Sequence, residues 1–222
     1  MPSIARRHVA AFQHDRTTGN DTWLTPKWLL DAFDMPHLAD VDPCSPPTRP
    51  WPTAKRHITK AQDGLAHAWD PRHFYFTNPP YGTECAEWLR RAADHGNGLA
   101  LIFARTETKM FHASVWRHPN ATALLFFEGR LSFANLDGKE VGAAGAPSVL
   151  VAYGKKACHA MLRVARSGRV RGHLLLLEAE GARVYRLGPS RAEPVPEVYE
   201  PRLRTTHQER VPRQRRKPAS PS

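Results

Sequence analysis

The chain is poor in the residues that build several common sites. Three cysteines in 222 residues, Cys44, Cys85 and Cys158, are odd in number, far apart and never paired as CxxC. That usage fits a reducing compartment and argues against a disulfide framework or a structural zinc site. The 12 histidines form no His-x-x-x-His or His-Glu-x-x-His spacing, so no metal site is expected. No Gly-x-x-x-x-Gly-Lys-[Ser/Thr] loop is present to cradle a nucleotide phosphate. A Cys–His nucleophile is also weakly supported, since Cys44 lies in a proline-rich turn and Cys85 in a predicted helix, where packing is its ordinary role. No run approaches the roughly 18 apolar residues of a membrane helix. The start, Met1-Pro2-Ser3-Ile4-Ala5-Arg6-Arg7-His8, leads into polar sequence without a signal-peptide apolar region, so a spanning or secreted protein is not expected.

Acidic residues are the other shortage. Against 32 Lys+Arg stand 21 Asp+Glu, a net +11, which favours a polyanionic partner. The excess is uneven: residues 183–222 hold ten Lys+Arg and four Asp+Glu, a net +6, leaving +5 for residues 1–182. Those last 40 residues also hold seven prolines and almost no apolar periodicity, so they are expected to be a largely disordered tail behind a single domain at 1–182. Its closing Arg210-Val211-Pro212-Arg213-Gln214-Arg215-Arg216-Lys217 is either a nucleic-acid tether or a solvated solubility segment.

Over residues 1–182 short apolar runs alternate with segments of helical period, the pattern of a mostly parallel α/β sheet covered by helices. Thr25-Pro26 is expected to open a helix to Phe33, with Thr25 as N-cap and proline at the first helical position. Strands are expected at Leu38–Cys44, His73–Thr77, Gly98–Phe103, Ala121–Phe127 and Pro147–Tyr153. Helices are expected from Thr83 or Glu84 to about His95, from Thr106 to about Trp116 and from Lys155 to about Arg166. A hairpin is expected over His173–Leu187 around Glu180-Gly181. Ligands of such sheets sit beyond the carboxyl ends of strands, which singles out Asp42, Asn78 and Arg105.

Asn78-Pro79-Pro80-Tyr81 carries the clearest chemistry. Reaction at an exocyclic amino group needs acceptors that hold its N–H bonds and turn the nitrogen lone pair toward an electrophile. The Asn78 amide oxygen and the Pro79 carbonyl are two such acceptors, Pro79 and Pro80 fix the backbone and remove competing donors, and Tyr81 offers a flat face to a planar base. The bland alternative is a rigid turn that ends the strand Phe74-Tyr75-Phe76-Thr77.

This motif is similar to the catalytic signature of S-adenosylmethionine-dependent amino methyltransferases. With Asp21-Thr22-Trp23-Leu24-Thr25-Pro26, Asp40-Val41-Asp42-Pro43-Cys44, Asp63-Gly64-Leu65 before Trp69, and Arg105-Thr106-Glu107-Thr108, the chain resembles phage-type, Dam-like DNA N6-adenine methyltransferases over roughly residues 20–154. The resemblance implies a Rossmann-like fold, a mixed and mostly parallel sheet with helices on both faces. It implies S-adenosyl-L-methionine as cofactor, DNA as partner, the cytoplasm of a bacterial or phage-infected cell as setting, and a monomer or weak dimer. It makes Asn78, Pro79, Pro80 and Tyr81 catalytic. It assigns the cofactor to Trp23, Thr25, Pro26, Asp42, Pro43, Cys44 and Asp63, with Asp42 attracting the cofactor's ammonium and Asp63 its ribose or adenine. Pro43-Cys44-Ser45-Pro46-Pro47 departs from the glycine-rich loop of other methyltransferases.

The resemblance places Arg105, Thr106 and Thr108 near the flipped nucleotide, with Glu107 where the family usually has Asp. Arg130, in Gly129-Arg130-Leu131-Ser132-Phe133, is placed against phosphate. Each has an ordinary alternative: Asp63 a turn residue, Thr106 and Glu107 a helix cap, Arg130 a solvated hairpin charge. The acceptor is expected to be adenine N6 in DNA. Cytosine N4, RNA adenine, a protein glutamine amide, or a non-catalytic DNA-binding module are the alternatives.

Overall fold

The computed structural model describes residues 23–178, 181–187 and 193–194. Helix α1 (Lys27–Phe33) buries Leu29, Leu30 and Phe33 and ends at Asp34, whose backbone is left-handed (φ 52°). A single turn, α2 (Met35–Leu38), follows, so the expected strand at Leu38 begins later, as β1 (Val41–Ser45). The edge strand β2 (Arg56–Thr59) has no counterpart among the expected elements, because Arg-His-Ile-Thr holds one apolar residue and no alternation. Next come β3 (Tyr75–Thr77), α3 (Cys85–His95) and β4 (Gly98–Phe103). Helix α3 repeats its buried residues, Trp88, Leu89, Ala92 and Ala93, at helical spacing and stops at left-handed Gly96.

The helix expected over Thr106–Trp116 is split. Arg105–Thr108 is a turn, Lys109–Phe111 is one α-turn (α4), and His112–Trp116 is π-helical. Strand β5 (Ala121–Phe127) matches its expected bounds, and a hairpin of β6 (Ser132–Ala134) and β7 (Glu140–Ala143) comes before β8 (Ser148–Tyr153). Helix α5 (Lys155–Ser167) leads to the antiparallel pair β9 (Gly172–Glu178) and β10 (Gly181–Leu187), the hairpin expected there. With β11 (Glu193–Pro194) the sheet passes the boundary expected after residue 182, which falls inside β10. Residues 195–222, the rest of the expected tail, lie outside the described residues.

The nine strands lie in the order β11-β10-β9-β5-β8-β4-β3-β1-β2. Strands β1, β2, β3 and β4 are mutually parallel, β8 runs against both β4 and β5, and β9 reverses again. Six strands (β2, β1, β3, β4, β5, β10) therefore share one direction and β8, β9 and β11 oppose it. Alternation along the strands divides the core. Phe74, Phe76, Leu99, Leu101, Leu125 and Leu150 pack with α1 and α5, while Tyr75, Ala100, Ile102, Leu124 and Val151 pack with α3 and the π-helical turn. This is the Rossmann-like α/β architecture that the sequence implied, with helices on both faces.

Candidate active site at the switch point

From β1 the chain moves outward to β2, then crosses back to β3 on the other side of β1. The carboxyl ends of β1 and β3 therefore open a crevice, where ligands of α/β sheets bind. Asp42, Pro43 and Cys44 come from one lip and Asn78-Pro79-Pro80-Tyr81 from the other. The Cys44 thiol donates to the Asn78 carbonyl across them at 3.3 Å. Burial pushes that thiol well above its ordinary range, with the Asp42 charge adding to the shift, which removes Cys44 as a nucleophile.

Asn78 is held on both ends of its amide. Its Nδ2 donates to the Trp23 carbonyl (3.1 Å) and to Thr25 Oγ1 (3.2 Å), while its Oδ1 accepts from the Tyr81 hydroxyl (3.2 Å). Thr25 is thus not the helix cap expected from Thr25-Pro26. Pro26 occupies the N-cap position without a side-chain bond, and the Thr25 hydroxyl serves Asn78. The 23–25 segment is itself fixed by two backbone bonds between Leu24 and Ala134 of β6 (2.8 and 3.0 Å) and by the Trp51 indole on the Thr25 carbonyl (3.3 Å). One face of the Tyr81 ring, expected to lie open for a base, stacks on Phe103 (centroids 4.1 Å, 14° between planes), and Phe133 meets it edge-on. Burial raises the Tyr81 phenol far above its usual range, so it remains a donor. Pro79 is buried and Pro80 exposed.

Asp42 is buried and doubly bonded. Its Oδ1 accepts from the Cys44 N–H (3.1 Å), and its Oδ2 from the Thr53 hydroxyl. Desolvation dominates over these bonds and raises its carboxyl from 3.8 to about 6. Arg49 is near enough to lower it somewhat, but the Arg49 guanidinium donates to Ser45 Oγ and the Pro46 carbonyl, so no ion pair to Asp42 forms among the described residues. Thr53 is positioned in turn by His57, whose Nε2 accepts from the Thr53 N–H (3.2 Å) and the Ala54 N–H (3.4 Å). Burial holds the His57 imidazole down at about 4, hence neutral and able to accept.

Asp63 sits after β2 in a left-handed conformation (φ 49°) and caps its own turn, accepting from the Ala66 N–H (3.1 Å). Gly64 presses this turn onto β1, for a Cβ there would lie 1.8 Å from the Pro43 carbonyl oxygen. The Arg105 carbonyl accepts from the Thr108 hydroxyl, and Thr108 caps Phe111, the role expected of Thr106 and Glu107. The Thr106 carbonyl accepts from the Trp116 indole (3.2 Å), and the Arg105 side chain is exposed. Arg130 donates to the Ala144 carbonyl (2.9 Å), closing the base of the β6–β7 hairpin while its side chain stays largely exposed.

Five contributors escape sequence reasoning: Trp51, Thr53, His57, Phe103 and Phe133. Phe103 and Phe133 each lie inside a segment that the sequence does single out. Thr53 and His57 lie in a Pro- and Arg-rich stretch whose role depends on pairing with β1, and no local signal marks them.

A family model described as DNA N-6-adenine-methyltransferase (Dam) matches residues 13–168. The chain belongs to this family and is a DNA adenine-N6 methyltransferase. The matched span covers every site residue above and ends just after α5. Comparison with curated proteins and with solved structures finds no match.

Proposed function

We propose that the chain transfers a methyl group from S-adenosyl-L-methionine to N6 of an adenine flipped out of duplex DNA, with Asn78 and Pro79 as the acceptors of the amino N–H groups. The observation that carries this is the locked Asn78 amide. Its nitrogen is committed to Trp23 and Thr25, so the oxygen, with one lone pair engaged by Tyr81, has its other lone pair for an amino N–H. Two acceptors on N6 draw its hydrogens into one plane and direct the nitrogen lone pair toward the electrophile. With the cofactor held in the crevice, its sulfonium would supply the methyl carbon to N6 and leave as a neutral thioether, while Asn78 and Pro79 hold the amino group and one N6 proton would pass to solvent. A Tyr81–Phe103 stack beside Asn78 supplies an apolar wall for a planar base.

The donor set beneath fits the cofactor. A buried carboxylate with a raised pKa and no ion pair among the described residues suits an ammonium group, as Asp42 would receive from the methionine part. Trp23, Thr25, Pro26, Pro43 and Cys44 border the same crevice, and Asp63, which follows the helical turn Lys60–Gln62 after β2, is the group suited to ribose hydroxyls. The bound cofactor supplies an electrophilic methyl on a sulfonium, while the chain's part is to hold both reactants in line and exclude water. Arg105, Thr106, Thr108 and Arg130 are the candidates for DNA contacts at this edge.

Nucleoside mass spectrometry of host DNA, with and without expression of the chain, tests the reading. N6-methyladenine that appears with the wild type and not with Asn78→Ala supports it. Methyl groups found only on cytosine, RNA or protein would overturn the acceptor.

A further inference from the structure

Helix α5 and the turn after it expose Lys155, Lys156, His159, Arg163, Arg166, Arg169 and Arg171, and no acidic residue occurs from Gly154 to Gly172. These six Lys and Arg exceed the whole net charge of +5 carried by residues 1–182. The helix separates its two characters cleanly. Ala157, Ala160, Met161, Val164 and Ala165 face the core, while 156, 159, 163 and 166 recur at intervals of three and four on the outside. Lys156 lies over the Phe74 ring (4.9 Å). None of the six forms an ion pair among the described residues. The acidic groups on neighbouring elements are few and mostly engaged: Asp31 bonds Lys27 (2.7 Å) and Asp40 bonds Lys55 (2.8 Å). Glu128 stands at the far end, its N–H on the Arg171 carbonyl (3.0 Å).

The stripe has a direction. β8 descends to the amino edge of the sheet, so α5 climbs back, and Gly172 pairs with Phe127 at the carboxyl edge of β5. Arg166, Arg169 and Arg171 therefore approach the edge that holds Asn78, beside the Gly129-Arg130 root of the hairpin. We propose that the outer face of α5 docks the phosphate backbone of duplex DNA flanking the target adenine, a second binding surface outside the catalytic crevice. Its length, about 20 Å for 13 residues, matches roughly six base pairs. A segment of the chain itself is a poor occupant, because residues 195–222 carry seven Lys+Arg against three Glu and would be repelled. The inference rests on the proposed DNA substrate for its partner.

The test is equilibrium binding of the full chain to a duplex several helical turns long, at a series of salt concentrations. The variant R163Q/R166Q/R169Q should reduce the log–log salt slope by about 0.9 for each phosphate that it no longer neutralises. K60Q/R72Q/R90Q, which removes the same formal charge from the other half of the sheet, should leave the slope nearly unchanged. If the triple variant loses its fold by circular dichroism, Arg166→Gln alone should still lower the slope by about 0.9. Equal slopes for the wild type and the stripe variant, or equal reductions in both triple variants, overturn the proposal. Methylation of host DNA is read separately: a methylating chain with an unchanged slope refutes the α5 surface alone. A chain that does not methylate DNA but shows the selective slope loss refutes the catalytic reading alone.

Discussion

Asn78 illustrates how a side chain is made specific by what it is denied. A free asparagine can present either end of its amide, but two acceptors on Nδ2 and one donor on Oδ1 leave a single orientation. Asn78→Ala should lower turnover on the order of 10²–10³-fold, comparable to removing one preorganised hydrogen-bonding group from an active site. Cofactor affinity measured by calorimetry should change little. Tyr81→Phe keeps the stack on Phe103 and loses the hydroxyl that steadies Asn78, so it should cost about 1 kcal/mol, or several-fold in kcat. Tyr81→Ala loses the ring as well and should cost more. Asp42 behaves differently. A carboxyl raised from 3.8 to about 6 is disfavoured in its charged form by roughly 3 kcal/mol. Because its folded pKa lies above the unfolded one, its favourable contribution is complete below about pH 4 and lost as pH rises through about 6. Asp42→Asn should therefore raise the Tm of the ligand-free protein near pH 7. The same change should weaken binding of a cationic cofactor and abolish the fall in its affinity expected for the wild type below about pH 6. Thermal scans and titrations at pH 5 and pH 8 would show a flat profile in the variant and a sloping one in the wild type.

At the scale of elements, sequence reading succeeds where burial is two-sided and fails where it is not. Gly98–Phe103 and Ala121–Phe127 are buried strands whose apolar runs have no competing reading, and both appear within their expected bounds. β2 lies at the sheet edge and the β6–β7 hairpin forms a separate two-stranded sheet, where polar residues are tolerated and periodicity fades. Asn78-Pro79-Pro80-Tyr81 is legible as a candidate because the chemistry proposed for it is local. The support beneath it is not, because Leu24 reaches Ala134 and Thr53 reaches Asp42 only after the sheet has formed. Gly64 belongs to this hidden layer, and its reason is proximity to Pro43 rather than backbone conformation. Gly64→Ala must move either the Asp63 turn or the end of β1, since a Cβ 1.8 Å from a carbonyl oxygen is impossible. Overpacking of this kind costs typically about 1–3 kcal/mol. The expected outcome is a lower Tm with a cofactor Kd raised several-fold, whereas a Kd equal to that of the wild type would show that the Asp63 turn has no part in the pocket.

Across the whole molecule, basic charge and the proposed active site share one edge. The crevice opens at the carboxyl ends of β1 and β3, Arg105 and Arg130 follow the carboxyl ends of β4 and β5 on one side of it, and the C-terminal cations of α5 reach the same edge of the sheet. The sheet reaches Pro194, so a truncation that probes the remaining basic sequence must begin after that residue. Residues 195–222 bring a net of +4, seven Lys+Arg less three Glu. The nine strands and both core clusters among the described residues are built from positions up to Pro194, and removal is expected to leave the Tm and the turnover at saturating DNA unchanged. The electrostatic part of binding should weaken: the log–log salt slope falls by about 0.9 for every phosphate these residues neutralise, so three such phosphates would account for nearly 3. Base choice should not change, since groups that meet only phosphate carry no sequence information. Isotherms for the full chain and for residues 1–194 at matched salt concentrations measure this directly. Parallel lines would mean that these residues do not touch DNA. A drop in Tm would mean that they pack on the fold, and the loss of binding would then have to be read as structural.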